Sequence, residues 1–484
     1  MSNRFGGTGV SISELLAGPP RVANVGVEDL ARPLEALGVP VESVDWRPPA
    51  LGDEEAGWKL AGLIADPRIE AANSETIERM LAVQPVWADV RPAADVLPEL
   101  AADRLLLHAG PPIEWERMCG PMQAAVIGAA MLEGWAGTPA EAARLASSGE
   151  ITFGPCHHHD AVGPMAGVIS ASMPLIVAED ARTGRRAFSN LNEGQGRCLR
   201  YGALGDDVMD RLRWMSRRLG PSLAAALRTL QEPVNLKVII AQALQMGDEC
   251  HSRNVAASAQ LTRRLAPALA RHADLGGIEA LEFLAANDYW FLNFSMVTGK
   301  LATMAGHGIP GSTVVTALAR NGADVGIRVS GCGDTWFTAP APVPDGLYFP
   351  GYGPQDANPD IGDSAIAETY GLGGFALAAA PAIVGFVGGT PQEARRTSEA
   401  MALITAGRHR DLQVPALNFA GPPLGIDCRA VLDTGIEPAI TTGISHREPG
   451  IGQIGAGITH APMACFADAI RAFGLPGAAG VPAR

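Results

Sequence analysis

Lysine is almost absent from this chain. Only Lys59, Lys237 and Lys300 occur among 484 residues, so 34 of the 37 basic residues are arginine. Against 51 Asp and Glu the formal charge is −14. A general nucleic-acid binder needs many cations facing the phosphates, and an acidic chain with so few free cations does not supply them. Any anion site must therefore be a local arrangement of Arg rather than a basic face. Paired cysteines are also missing. The seven Cys, at 119, 156, 198, 250, 332, 428 and 465, form no CxxC pair and are odd in number, which predicts reduced thiols in a cytoplasm and no zinc ribbon. The N-terminus MSNRFGGTGVSISELLAG lacks the apolar core of a signal peptide. The most apolar stretch, Gly371 to Gly389, is broken by Pro381 and Gly385, and reads as a buried helix–turn–strand instead of a membrane span. No repeat of 20 to 50 residues is visible, so solenoids and propellers are not expected.

What remains is a globular composition, 47% hydrophobic and 18% charged. Gly and Pro make up nearly one residue in five, which predicts much turn backbone. Domains of roughly 150 residues suggest about three parts. Residues 21–46, RVANVGVEDLARPLEALGVPVESVDW, read as strand, helix, strand, with Leu30, Leu34 and Leu37 at helical spacing and Gly38 closing the helix. The second strand ends at Asp45, where a Rossmann-like unit often carries a ribose-binding acid. The first turn has one Gly where a dinucleotide loop has three, so bound NAD is not expected. A second α/β stretch spans 74–110, and capping boxes at Thr138 and Thr390 announce two later helices. Residues 236–247 predict a buried helix. The expected fold class is α/β and α+β. A Rossmann-like α/β domain with a helical extension occupies 1–149, an α/β plus helical domain 150–320, and a Gly-rich α+β domain 321–484.

Polar residues gather in six places. Gly154 to Asp160, GPCHHHD, reads as a loop in which alternate residues point one way, so His157 and His159 share a site. As metal ligands they would need further donors that the spacing does not supply, and the reading adopted here has no metal and no cofactor. Ser189 to Tyr201 interleaves Asn192, Glu193 and Arg197 with Gly, and amide side chains suit a substrate that is itself an amide or urea. Met246 to Asn254 follows the buried helix. There Asp248 and His251 are three apart and share a face if the helix continues, with Arg253 beside them. A carboxylate orienting an imidazole is a general-base device, and also a common structural pair. Asn287 to Lys300 is the densest aromatic run, with Asn287, Asn293 and Lys300 as its polar members. Arg320, Asn321 and Arg328 stand next to Gly, where backbone approaches a ligand and guanidinium forks suit phosphate or carboxylate. The last group joins Asp356–Glu368 to a C-terminal run with His446 and Gln453. That run matches GxGxxG literally but lacks the strand before it and the helix after it, so it is a site loop and not a dinucleotide motif.

Together these segments resemble the AllG (YlbE/YahG-like) family, whose members are subunits of oxamate carbamoyltransferase. GPCHHHDAVGPMAGVIS followed by SNLNEGQGRCLRYG is the most telling pair. MGDECHSRN, RNGADVGIRVSG, NPDIGDSAIAE and GIGQIGAG follow in matching order, and the likeness runs from Asn24 to about Phe466. The resemblance implies carbamoyl transfer between an oxalurate-type N-carbamoyl compound and phosphate, giving oxamate and carbamoyl phosphate. It also implies FdrA-like and AllH-like partner subunits, a homo- or hetero-oligomer, and a role in anaerobic allantoin breakdown. The residue chemistry is compatible. Arg197, Arg253, Arg320 and Arg328 are candidates for holding the anions, with Arg320 also a catalytic candidate. His157, His159 or Lys300 would stabilise the developing oxyanion. Asn192, Asn287 and Asn293 would fix urea-like nitrogens, while His251 oriented by Asp248 manages the proton on the departing nitrogen. Glu193, Asn321, His446 and Gln453 complete the expected substrate contacts. Two other classes fit the same residues: a metal-assisted amidohydrolase built on His157, His159 and a carboxylate, and a non-catalytic scaffold subunit.

Overall fold

The computed structural model describes residues 22–44 and 48–474. Asp45, Trp46 and Arg47 lie outside the described residues, as does the N-terminal segment through Arg21. The chain forms two compact units, Met1–Asp53 and Glu54–Arg484. In the first, the strands Val22–Val25 and Val41–Val44 pair in parallel around the short helix Arg32–Ala36. Gly38 takes φ +75°, and its N–H reaches the carbonyl of Glu35, so the expected C-terminal stop is present.

Residues 54–484 mix helix with several small sheets. One has five strands, in the order Ala161–Val162, Arg186–Asn190, Pro174–Asp180, Pro85–Pro92, Val234–Asn235. A second has four, in the order Phe337–Pro340, Asp324–Val329, Val315–Asn321, Ile361–Gly362, all antiparallel. A third joins Asp345–Tyr348, Gln453–His460 and Ala439–Ser445. The mixed α/β class holds. No doubly wound parallel sheet is present among the described residues: two parallel pairs stand as two-stranded sheets, and the third is a two-residue strand at the edge of the otherwise antiparallel five-stranded sheet. Strand pairs cross both expected boundaries: Pro85–Pro92 pairs with Pro174–Asp180 across position 149, and Val315–Asn321 with Asp324–Val329 across position 320. Residues 54–474 therefore form one body.

The helix Leu292–Gly306 is the axis that matters for function. It packs on the five-stranded sheet through Pro174–Asp180 and Arg186–Asn190, and on the four-stranded sheet through Val315–Asn321. Nearly every side chain along it is buried, because apolar residues occupy all of its faces. Phe294 meets Trp87 at 4.6 Å and Trp290 at 5.3 Å between ring centroids. Burying such side chains contributes about 1.5–3 kcal/mol each, so the helix is held rigidly between the sheets. One expectation fails locally. The Gly371–Gly389 stretch forms a run of short helical turns without a strand, since its Gly and Pro allow neither a long helix nor a ladder. The GxGxxG match, Gly450–Gly455, begins in the turn after the strand Ala439–Ser445 and runs into the antiparallel strand Gln453–His460, so a strand precedes it and a strand instead of a helix follows.

Candidate functional site

The helix Leu292–Gly306 lays Lys300, Thr303 and Met304 along one face at the i, i+3, i+4 spacing, and His307 follows at i+7 where the helix ends. The stripe lines a cavity of about 260 Å³ together with His157, His158, Asp160, Arg185, Thr316, Arg328 and Asp334. Arg185 comes from the turn between the strands Pro174–Asp180 and Arg186–Asn190, and three further elements supply the rest. A 3-10 turn, Cys156–His159, follows the strand Thr152–Pro155 and carries the histidines. The antiparallel pair Val315–Asn321 and Asp324–Val329 presents Thr316 and Arg328. The loop after that pair brings Asp334 and Trp336.

Lys300, Arg185 and Arg328 meet the carboxylates of Asp160 and Asp334 around this cavity. Lys300 is 4% exposed, donates to the His157 carbonyl at 3.1 Å, and lies 4.0 Å from Asp160. Burial pushes its ammonium down to about 8, with Asp160 pulling the other way. His157 is buried, and neither ring nitrogen has a hydrogen-bond partner among the described residues. A buried ring without partners is costly unless something fills its donor and acceptor positions. Burial, helped by Lys300 and Arg328, holds its pKa well below the usual imidazole value, so the ring is neutral. Trp336 stands edge-on to it at 5.7 Å and donates its indole N–H to His158 Nε2 at 2.8 Å. His307 accepts from Arg328 through Nε2 at 3.3 Å, so its Nδ1 carries the proton and donates to Thr316 Oγ1 at 2.7 Å. Burial, with Arg328 next in effect, pushes His307 down to about 4. Around physiological pH the three rings are polar and uncharged, while Arg328 and most of Lys300 stay positive. The carbonyls at the helix C-terminus partly compensate these cations, and Arg185 donates to one of them, Met304 O, at 2.8 Å.

Beneath the cavity four glycine-bearing segments cross at Asp363. Its carboxylate accepts from Gly110 N at 2.8 Å and Gly163 N at 3.0 Å, and lies 3.7 Å from His157 Nε2. The backbones are so close that a Cβ on Gly110 would stand 2.4 Å from Asn321 N, and one on Gly163 2.5 Å from the Gly167 Cα. Burial pushes Asp363 up to about 7 against the pull of its two N–H donors.

Of the residues singled out by sequence, His157, Lys300 and Arg328 come together here. His159 does not: its Nδ1 meets Glu99 at 2.7 Å, and His158 shares the cavity instead. The expectation assumed extended backbone with alternating side chains, whereas in a 3-10 turn each residue rotates by a third of a turn. Asp248 does not orient His251. The helix Leu236–Gln245 stops before them, Cys250 takes φ +61°, and Asp248 accepts from Ala257 N at 2.9 Å. His251 Nδ1 meets Glu368 at 2.8 Å. Arg320 is fully buried, binding Asp360 at 2.7 Å and the Gly362 carbonyl at 2.6 Å. Arg197 sits on the surface beside Asp207, and Arg253 donates to the Gly247 carbonyl. The amides satisfy one another: Asn192 donates to Asn293 Oδ1, Asn293 to the Asn190 carbonyl, and Asn287 to the Asn192 carbonyl. Glu193 accepts from the amides of Leu199 and Arg200. Asn321, His446 and Gln453 pin backbone turns at Ala323, Glu448 and Gly196. Sequence reasoning missed His158, His307, Asp334, Trp336 and Asp363. The seven-residue interval from Lys300 to His307 on an evidently helical run was the available signal for one of them.

The described residues contain no cluster of three or more His, Cys, Asp or Glu able to hold a metal ion, and no helix long and apolar enough to cross a membrane. The family model for oxamate carbamoyltransferase subunit AllG matches residues 151–364, a span that includes every residue lining the cavity. The chain belongs to the AllG family. It is similar to the oxamate carbamoyltransferase subunit AllG of Escherichia coli, 49% identical over 84% of this chain and 97% of that protein. It is likewise similar to the protein YahG of Escherichia coli, of uncharacterised role, 46% identical over 94% of this chain and 97% of that one. Among solved structures, a conserved protein of unknown function from Enterococcus faecalis matches with TM-score 0.81 and 47% identity, over 84% of this chain and 97% of the other.

Proposed function

We propose that this chain is a carbamoyltransferase subunit whose His157–Lys300–Arg328 cavity seats the anionic reactants. The transfer runs between an oxalurate-type N-carbamoyl compound and phosphate, giving oxamate and carbamoyl phosphate. A phosphate oxygen attacks the terminal ureido carbon, the carbonyl oxygen gains negative charge, the C–N bond to the oxamoyl part breaks, and that nitrogen takes up a proton. The Arg328 fork suits phosphate or carboxylate. Lys300 is placed to stabilise the oxygen that becomes negative. Neutral His157, with both ring nitrogens free, can carry a proton between the attacking and departing groups. The observation that carries this reading is a buried, cation-lined cavity around an unpartnered histidine, in a chain of this family.

FdrA-like and AllH-like subunits complete the enzyme in this reading. The test is oxalurate phosphorolysis by the chain alone and by the chain combined with those partners, following carbamoyl phosphate. Formation in at least the combined sample is expected. Equal turnover by the partners without this chain would contradict the proposal. A hydrolase built on His157 and His159 receives no support, because those two side chains point to different places.

A further inference from the structure

The segment from Ser330 to Trp336, SGCGDTW, begins in a 3-10 turn, Ser330–Cys332, and ends at Trp336 against the cavity. Trp336 is tied down by its bond to His158 and by its ring against His157 and, at 5.9 Å, the Arg328 guanidinium. Two residues earlier, the Asp334 side chain is 87% exposed at the cavity mouth. Its carboxylate nevertheless pairs with buried Arg328 and lies 3.5 Å from His307 Nε2. Gly333, at φ +60° with open space where a Cβ would be, leaves the loop free to swing Asp334 outward. Arg328 Nε has no hydrogen-bond partner among the described residues, so its fork is only partly used.

We propose that Asp334 is an internal counter-ion, occupying the anion position at Arg328 until substrate displaces it. The inference rests on the cavity being the anion seat proposed above. An anion that replaces the Asp334 carboxylate returns its charge to Arg328, and Lys300 and Arg185 are placed to attract the incoming group further. Moving Asp334 out costs little, because its oxygens are already largely in water. Were it instead a positioning residue for Arg328, removing its charge would weaken anion binding, so the two roles predict opposite signs.

The experiment is calorimetric titration of the full chain with orthophosphate and, separately, with the monoanion oxamate, using wild type, Asp334→Asn and Asp334→Ala. Asp334 is exposed, so both variants are expected to fold, which circular dichroism checks. Both should bind phosphate about three- to tenfold more tightly than wild type, the scale of one partly exposed ion pair. Oxamate binding should tighten by a similar factor, because either anion must displace the same carboxylate. Phosphate affinity that is unchanged or weaker in both variants, with wild type binding, overturns the counter-ion role and leaves the anion seat standing. Absence of phosphate binding in every protein overturns both.

Discussion

Lys300 is the residue on which the electrostatic account turns. With a folded pKa of about 8, it is positive below that pH and neutral above. Binding of an anion should therefore be strong at lower pH and be lost as pH rises through about 8. Sulfate is the right probe, because its own charge is constant in that window. Its affinity should fall by up to about tenfold from one pH unit below 8 to one above, consistent with losing one nearby charge. In Lys300→Met binding should stay near the weak high-pH level of the wild type and be flat over the same range. A fall that persists in the variant would assign the titration to another group. Arg320 behaves differently. It looked like a substrate ligand in the sequence because it stands beside Gly, but its guanidinium is fully enclosed with Asp360. Arg320→Ala leaves that carboxylate buried and unpaired, so unfolding by urea should show a loss of about 3–5 kcal/mol. An unchanged midpoint would show that the pair is not structurally required.

The elements that build the site were legible unevenly. The capping box at Thr390 is complete, with Thr390 accepting from Glu393 N and Glu393 from Thr390 N, whereas the helix at 292–306 was registered in the sequence only as part of an aromatic run. The buried helix expected at 236–247 runs from Leu236 to Gln245, so its end was read to within two residues. The turn at 156–159 was not legible, because a reading by periodicity cannot register a single 3-10 turn. The crossing at Asp363 is a similar case: NPDIGD reads as a loop until Gly110 and Gly163 are brought to it from more than 190 residues away. Its packing can be tested by one methyl group. Gly110 and Gly149 both have positive φ, but only at Gly110 would a Cβ collide with backbone. Gly110→Ala should cost about 1–3 kcal/mol more than Gly149→Ala in urea unfolding, because backbone strain is common to both and the collision is not. Equal losses would mean that the segments can part.

At the scale of the whole molecule, the scarcity of lysine has a sharper meaning. The chain is acidic overall, yet one cavity gathers Lys300, Arg328 and Arg185 around neutral histidines. Composition could predict that any anion site would be local, and the family likeness could suggest its substrates. Neither could say which arginines face a ligand, because Arg197, Arg253, Arg320 and Arg328 share similar sequence surroundings and differ only in what they meet after folding. The decisive measurement is kcat/KM for oxalurate phosphorolysis by the assembled complex carrying Arg328→Ala, compared with one carrying Arg186→Ala, an exposed strand residue paired with Glu179. The account predicts a loss of about 10²–10³ for Arg328→Ala, the scale of removing one preorganised charged donor, and a near-normal rate for Arg186→Ala. Equal rates in the two variants would contradict it.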